Sequence, residues 1–359
     1  MKSSFSLNLL LRDNIKKLVP YSSARNEFKG EASVLLDANE NAFGSPYSIN
    51  YNRYPDPLQY RLKEKLGRIK GVPVDHIFLG NGSDEAIDIL FRAFCEPGRD
   101  NVILLPPTYG MYEVSANINN VAYKRVNLTS DYQLDLDGIA EAIDAHTKMI
   151  FICSPNNPSG NSISRQDIET ILVNFDGLVV VDEAYINYSK QPSFTRDLAE
   201  FPNLVILQTL SKAWGLAALR LGMAFAGKEI IDIFNKIKPP YNINQATQDI
   251  VLEALERVEQ VNEWIKLVVA EREKLSLSLE KLPQVAHITP SEANFILVKL
   301  EEPRALYSFL VGKGIIVRDR SKVELCEGCL RLTIGTPEEN ITLLENIREF
   351  YLHNFQEKK

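Results

Sequence analysis

Between residues 75 and 227, short apolar runs alternate with segments of helical periodicity, and this alternation limits the possible folds more than any other feature. Most of the runs are apolar at every position, as strands of a parallel sheet covered on both faces must be. The segments between them, such as DEAIDILFRAF and SRQDIETILVNF, have the period of amphipathic helices. The region therefore predicts an α/β fold, with a mostly parallel central sheet and helices on both faces. The apolar runs are Ile77–Leu79, Val102–Leu105, Met149–Cys153, Leu178–Val181, Leu204–Leu207 and Met223–Ala226.

A second, smaller domain is expected after the stretch KPPY, which breaks the alternation. A helical region runs from about Asn244 to Leu282, and the strand-like segments FILVKL, GIIVRD and LRLTI follow, with a terminal helix from about Pro337. We predict a large domain at 36–240 and a small C-terminal α+β domain at 241–359. The first 35 residues form an arm that is expected to pack with the small domain or with a partner subunit.

Composition and charge exclude several classes of protein. The net charge of -7 provides no basic field for nucleic acid, and the chain has no apolar run long enough to span a membrane. The N-terminal stretch is interrupted by Asn8 and lacks a small-residue cleavage site, so it predicts an amphipathic arm rather than a signal peptide. Four cysteines in 359 residues fit a reducing cytoplasm. Cys326 and Cys329 have C-x-x-C spacing but no second pair, so we expect no metal site.

Polar side chains follow several of the predicted strands directly, at the edge where open α/β sheets bind ligands. Each one alone has an ordinary explanation, such as a helix cap for Ser83. Together they indicate one ligand. They are Ser83 and Asp84 in GNGSDE, Tyr109 in PPTYG, Asn157 in SPNNPSG, Asp182 and Tyr185 in VVVDEAY, and Thr209, Ser211, Lys212 and Arg220 in QTLSKAWGLAALR.

The combination of these groups is the one that pyridoxal phosphate requires. A Gly-Ser-Asp helix start offers backbone N–H groups to a phosphate, and Ser211 and Arg220 could complete that site. Tyr109 can stack on a flat ring, Asp182 can pair with a ring nitrogen, and Lys212 can form an imine with an aldehyde. The imine explains why a lysine stands among small and apolar residues, because its charge is shared with the cofactor.

Nucleotide-binding motifs are incomplete in this chain. GNGSDE begins like G-x-G-x-x-G, but Glu85 stands where the third glycine belongs. The sequence contains no G-x-x-x-x-G-K-[ST] either.

The motifs resemble those of the fold-type I pyridoxal-phosphate aminotransferases over nearly the whole chain. NNPSG, DEAY and SKAWGLAALRLG are similar to motifs of the class as a whole, whereas LVPYSSAR, RYPDP, PPTYGMY and KPPYNIN resemble the branch that acts on histidinol phosphate. Ser159 and Ala218 stand where threonine and glycine are usual. The resemblance implies a cytoplasmic homodimer that converts L-histidinol phosphate and 2-oxoglutarate to imidazole acetol phosphate and L-glutamate, in histidine biosynthesis.

The resemblance also implies a role for each residue around the cofactor. Lys212 would be the Schiff-base lysine and proton carrier, Asp182 the partner of the pyridinium nitrogen, and Asn157 and Tyr185 the contacts of the phenolic oxygen. Tyr109 would stack on the ring. The residues around the cofactor phosphate would be Ser83, Asp84, Thr209, Ser211, Arg220 and, from the neighbouring subunit, Tyr54.

Four further residues are implied to bind the substrate. Arg331 and Arg318 would bind the phosphate of histidinol phosphate and the carboxylates of glutamate, since guanidinium groups suit both. The alternative for Arg318 is a salt bridge with Asp319 or another nearby acid. Tyr21, in the arm, and Asn294 would line the same pocket.

Three other functions stay open at this point. The first is an aminotransferase of another specificity, such as one for aromatic amino acids. The second is a lyase similar to the phosphothreonine decarboxylases, which resemble this branch. The third is a regulator that uses the fold as an effector-binding module, although the chain has no spare basic segment for DNA.

Overall fold

The computed structural model describes residues 5–20 and 34–356 and contains two β-sheets. The strands of the larger sheet are β1 (Ile77–Asn81), β2 (Asn101–Leu104), β3 (Ala122–Arg125), β4 (Thr147–Cys153), β5 (Leu178–Asp182), β6 (Leu204–Thr209) and β7 (Leu221–Ala226). Their order across the sheet is β1-β7-β6-β5-β4-β2-β3. Strands β2 to β6 pair in parallel, and β7 runs antiparallel to both of its neighbours. The prediction of a mostly parallel sheet is confirmed.

Helices cover both faces of this sheet because alternate strand residues point to opposite sides. In β5, Val179 and Val181 join one apolar cluster and Leu178 and Val180 join the other, all of them fully buried. Each such side chain stabilises the fold by about 1.5–3 kcal/mol. On the first face lie α3 (Tyr60–Lys70), α6 (Leu136–Ala142), α7 (Arg165–Asn174) and α9 (Gln245–Ala254), and on the second lie α4 (Gly82–Phe94), α5 (Met111–Ile118) and α8 (Lys228–Ile237).

The smaller sheet is antiparallel and has the strand order β10-β11-β9-β8. Its core contains fully buried Leu306, Leu330 and Ile347. The strands and the helices that pack on them are β8 (Val285–Thr289), β9 (Phe295–Leu300), β10 (Arg318–Asp319), β11 (Cys329–Thr333), α10 (Val258–Leu279), α11 (Pro303–Gly312) and α12 (Pro337–Gln356). The prediction of an α+β arrangement in this part of the chain is confirmed.

Element boundaries differ from the sequence prediction in three places. Strand β3 was not expected because both of its faces are partly exposed and its sequence, AYKR, is not apolar. The segment GIIVRD is a strand only at Arg318–Asp319. The single helix expected from about Asn244 is divided into α9 and α10 by a 3-10 turn at Leu255–Arg257.

The described part of the N-terminal arm forms two short helices, α1 (Leu7–Leu10) and α2 (Asp13–Lys17). Leu7 packs in the apolar cluster of α4 and α8, and the backbone N–H of Arg12 donates to the carbonyl of Ala93. The division of the chain into an arm, a large domain and a small domain at residues 35 and 240 stays a prediction. Within the described residues, no helix has the length and apolar character needed to cross a bilayer.

Candidate active site

A cleft opens at the carboxyl ends of the parallel strands. Its walls include all the polar side chains that the sequence places at strand ends. The cleft is lined by Ser83, Asp84, Tyr109, Asn157, Asp182, Tyr185, Thr209, Ser211, Lys212 and Arg220, together with Gly82, Cys153 and Ala184.

Asp182 is the last residue of β5 and is almost completely buried. Its Oδ2 accepts a hydrogen bond of 2.7 Å from the Tyr112 hydroxyl, and its Oδ1 accepts one of 3.0 Å from the backbone N–H of Ala184. Burial raises the pKa of Asp182 to about 6, although both hydrogen bonds act in the opposite direction. A cation beside this carboxylate would lower its pKa again and so stabilise the ionised form.

Lys212 lies in the turn after β6, with its amine in the cleft. The Nζ atom lies 5.6 Å from the centroid of the Tyr185 ring. The residue is exposed at the mouth of the cleft, yet its amine is partly removed from water. This desolvation and the positive charge of Arg331 lower the Lys212 pKa, and Asp182 opposes the effect. The amine therefore gives up its proton more easily than an ordinary lysine.

One end of the cleft is built to bind an anion. Helix α4 begins at Gly82, directly after β1, and the side chain of its N-cap residue, Asn81, makes no capping hydrogen bond. The helix start therefore presents N–H groups and the positive end of the helix dipole. Arg220 Nη2 lies 3.4 Å from Asp84 Oδ2, and the Ser211 N–H donates to Thr209 Oγ1 at 3.0 Å.

Two glycines allow the backbones at this end to approach closely. Gly82 has φ +71°, in the left-handed region, and its N–H donates to the carbonyl of Arg220 at 2.6 Å. A Cβ atom on Gly222 would lie 2.1 Å from the backbone nitrogen of Ser83. Glycine at 222 is therefore required for β7 to pack against the first turn of α4.

Asn157 and Tyr185 line the cleft, and Arg331 lies against Asn157. Arg331 Nη1 donates to Asn157 Oδ1. The Arg331 guanidinium lies 5.1 Å from the Phe295 ring centroid, and the Tyr185 ring packs edge-on against the same ring. Burial raises the pKa of the Tyr185 hydroxyl, so that group is a hydrogen-bond donor at neutral pH.

The remaining predicted residues do not line the cleft, or lie outside the residues that the structure describes. Arg318 is exposed and is the cross-strand partner of Arg331 in the pairing of β10 with β11. Asn294 precedes β9, and its carbonyl accepts from the N–H of Ile334. Tyr54 is half exposed and stacks on Tyr241 at 4.5 Å, away from the cleft lining. Tyr21 lies outside the described residues.

The residues of the cleft fit pyridoxal phosphate. The desolvated carboxylate of Asp182 suits a partner that brings a positive charge, such as a protonated ring nitrogen. The start of α4, together with Ser211 and Arg220, suits the phosphate. The Lys212 amine, with its lowered pKa, suits attack on an aldehyde.

Sequence reasoning missed Tyr112, which contacts Asp182 behind the cleft. Tyr112 is fully buried and stacks on Phe151, and its sequence setting indicates only a core aromatic on an amphipathic helix. No local sequence signal marks it for a polar role.

Comparison with known proteins matches this chain to aminotransferases. The family model for aminotransferase class I and II matches residues 26–347. A histidinol-phosphate aminotransferase of Parabacteroides distasonis is 54% identical over 343 residues, which cover 96% of this chain and 98% of that protein.

Solved structures share the fold. A histidinol-phosphate aminotransferase of Sinorhizobium meliloti in complex with pyridoxal-5'-phosphate matches with a TM-score of 0.75 at 24% identity, over 87% of this chain and 90% of the other. An L-threonine-O-3-phosphate decarboxylase of Porphyromonas gingivalis matches with a TM-score of 0.72 at 22% identity, over 84% and 91%. At these identities the structural likeness shows the fold and does not separate the two activities.

Proposed function

Because this chain belongs to the aminotransferase class I and II family, we propose that it transfers the amino group of L-histidinol phosphate to 2-oxoglutarate, giving imidazole acetol phosphate and L-glutamate, in histidine biosynthesis. Its cofactor is pyridoxal phosphate. The observation that carries the proposal is that Lys212 and Asp182 line one cleft. The 54% identity to a protein named for this activity, over nearly the full length of both chains, supports the choice of substrate.

The protein's own groups hold the cofactor and move the protons. When bound, pyridoxal phosphate supplies an electron-withdrawing ring that accepts the electron pair left at the substrate Cα. Asp182 would keep a proton on the ring nitrogen, and Tyr109 would stack on the ring. Once its amine is free, Lys212 would take the proton from the substrate Cα and deliver it to C4′ of the cofactor, a role for which a lowered pKa is an advantage.

Hydrogen bonds fix the cofactor at both ends of the cleft. The start of α4, with Ser83, Ser211 and Arg220, binds the phosphate, and Asp84 orients Arg220 through their ion pair. Tyr185 and Asn157 would hydrogen-bond to the phenolic oxygen. Thr209 positions Ser211 through the hydrogen bond between their side chains, 2.9 Å long.

The substrate binds at the other end of the cleft. Arg331 already contacts Asn157, and Arg318 is its partner on the neighbouring strand, so two guanidinium groups face an incoming phosphate or carboxylate. Among the described residues, neither forms a salt bridge with a carboxylate. Asn294 and Tyr21 would complete the substrate pocket.

A homodimer is the second part of the proposal. Tyr54 lies outside the cleft of its own chain, on a surface where Phe43 and Leu36 are highly exposed. A second copy that covered this surface would bury apolar area, and the partner subunit's Tyr54 would reach the cofactor phosphate. Four unpaired, buried cysteines support a cytoplasmic location.

The test of the substrate is a pair of half-reactions followed through the cofactor spectrum. Histidinol phosphate should convert the cofactor to its aminated form, and 2-oxoglutarate should reverse the change. Faster conversion by phenylalanine would instead indicate an aromatic aminotransferase. Release of carbon dioxide from O-phosphothreonine without any need for 2-oxoglutarate would indicate a lyase.

A further inference from the structure

Arg320 lies two residues beyond Arg318 on the same edge of the smaller sheet. The pairing of β10 with β11 sets Arg318 opposite Arg331 and Asp319 opposite Leu330. The Arg320 N–H donates to the carbonyl of Cys329 at 3.0 Å, which extends the same ladder by one residue. Because side chains alternate along a strand, Arg318, Arg320 and Arg331 share the face turned away from the core that buries Leu330.

The Arg320 side chain is partly buried without a partner to account for it. Its Nε has no hydrogen-bond acceptor among the described residues, and the same is true of Arg331 Nε. Exposed arginines elsewhere, such as Arg92 and Arg257, have a carboxylate within 3.4 Å. Buried donors are normally satisfied, so two unpaired guanidinium nitrogens on one face indicate a ligand with several acceptor atoms.

The neighbours of Arg320 do not balance its charge. Burial lowers the pKa of the Arg320 guanidinium, and the positive charges of Arg331 and Arg318 lower it further. The Cys326 thiol nearby is no counterion, because burial raises its pKa to about 12. The adjacent carboxylate, Asp319, accepts from the backbone N–H of Ser321 at 2.7 Å. Three positive charges on one face repel one another, and an anion bound between them would offset this repulsion.

Resting on the function proposed above, we propose that Arg320 is a third guanidinium of the substrate-phosphate site and makes that site selective for a phosphate monoester over a carboxylate. A phosphate has three terminal oxygens and close to two negative charges, enough acceptors for Arg318, Arg320 and Arg331 together. A carboxylate has two oxygens and one charge, so it can leave one of the three guanidinium groups unpaired. The contribution of Arg320 should therefore be larger for the phosphorylated substrate than for glutamate.

The test compares Arg320→Gln, Arg320→Lys and, as the matched control, Lys322→Gln, which removes one exposed positive charge two residues away. In half-reactions of the holoenzyme, Arg320→Gln should raise the KM for histidinol phosphate roughly 10- to 100-fold. Its kcat and its KM for glutamate should change only about threefold or less, and Arg320→Lys should recover part of the loss. The control should match wild type.

A second measurement separates this inference from the proposed function. Inorganic phosphate should compete with glutamate in wild type, and Arg320→Gln should weaken that inhibition roughly tenfold or more. If histidinol phosphate fails to react with wild type, the proposed function fails. If Arg320→Gln and Lys322→Gln are inhibited equally by phosphate, or if Arg320→Gln raises the KM values for glutamate and histidinol phosphate by the same factor, the assignment of Arg320 is wrong.

Discussion

Asp182 and Tyr112 form a buried pair behind the cofactor site. The tyrosine hydroxyl fixes one carboxylate oxygen, so the other side of the carboxyl group keeps a defined direction toward the cleft. Burial deprives the ionised carboxylate of hydration, and this loss raises its pKa. A cofactor that carries a proton on its ring nitrogen compensates for the missing solvation.

The stability of the cofactor-free protein should therefore depend on Asp182 and on pH. Because the folded-state pKa of about 6 lies above the ordinary value of 3.8, the stability linked to this group is complete below pH 4 and is lost as the pH rises through 6. Asp182→Asn carries no charge and avoids that loss. In urea unfolding at pH 8 the variant should be more stable than wild type by about 1–3 kcal/mol.

The difference should shrink as the pH falls toward 4. Exposed Asp137→Asn is the control and should show no such pH-dependent gain. With cofactor added, Asp182→Asn should lose nearly all turnover. A stability difference that stays constant between pH 5 and pH 8 would contradict the account of this residue.

Among single residues, those with a distinctive sequence setting could be predicted. Lys212 stands between small residues and Asp182 ends an apolar strand, and both lie where they were expected, in the cleft. Tyr112 could not be assigned a polar role, since a buried tyrosine on an amphipathic helix is usually core. Arg320 lies in a segment of alternating charges that any exposed loop could have.

At the scale of elements, the contact between β7 and the start of α4 shapes the end of the cleft that is proposed to bind the cofactor phosphate. Gly222→Ala would place a methyl group against the backbone of Gly82 and Ser83. Backbone cannot rotate away as a side chain can, so the helix start must shift. We expect a loss of about 1–3 kcal/mol in unfolding free energy and weaker retention of the cofactor.

The matched control is Gly312→Ala, at the end of α11, where an added Cβ meets nothing within 4 Å. It should leave cofactor retention unchanged and stability equal or slightly higher. Dialysis against phosphate-free buffer, followed by the cofactor absorption, measures retention. Equal retention in both variants would show that the close approach at Gly222 does not shape the phosphate site.

The elements of the larger sheet were easier to predict than those of the smaller one. Strands covered on both faces are apolar at every position, a pattern that few other structures produce. Strand β3, at the sheet edge, is only partly buried and so lacks the pattern. Strand β10 has two residues, and its existence depends on pairing with β11, which is distant in sequence. Local sequence carries no signal for such a pairing.

At the scale of the whole molecule, both sheets contribute residues to the proposed site. The larger sheet provides Asp182, Lys212 and the phosphate end, and the smaller sheet provides Arg331, which meets Asn157 at the cleft. The fold class and the α/β to α+β order followed from the sequence. The resemblance alone implied that Arg331 and Asn157 belong to one site, and the hydrogen bond between these residues, 174 positions apart, was not predicted.

A shared site between two subunits can be tested by mixing inactive variants. Lys212→Ala lacks the lysine and Tyr54→Phe lacks the hydroxyl proposed to reach the partner's cofactor. After unfolding and joint refolding, one site of each mixed dimer has both groups intact, so about a quarter of all sites should be fully competent. At limiting cofactor the mixture should exceed the mean activity of the two separate variants.

Activity equal to that mean would contradict the shared site. Lys212→Ala alone, taken through the same unfolding and refolding, is the control, since no pairing of its subunits restores the lysine. Size-exclusion chromatography of each variant checks that both retain the same assembly.

The central claim, that one lysine at the end of β6 carries the cofactor opposite the Asp182 carboxylate, is tested most directly by borohydride reduction of the holoenzyme. Reduction makes the bond between lysine and cofactor permanent, and peptide mass spectrometry then locates it. The account predicts the modification on Lys212 alone and its absence from Lys212→Ala. A modification on another lysine, or an unchanged amount of bound cofactor signal in Lys212→Ala after reduction, would contradict it.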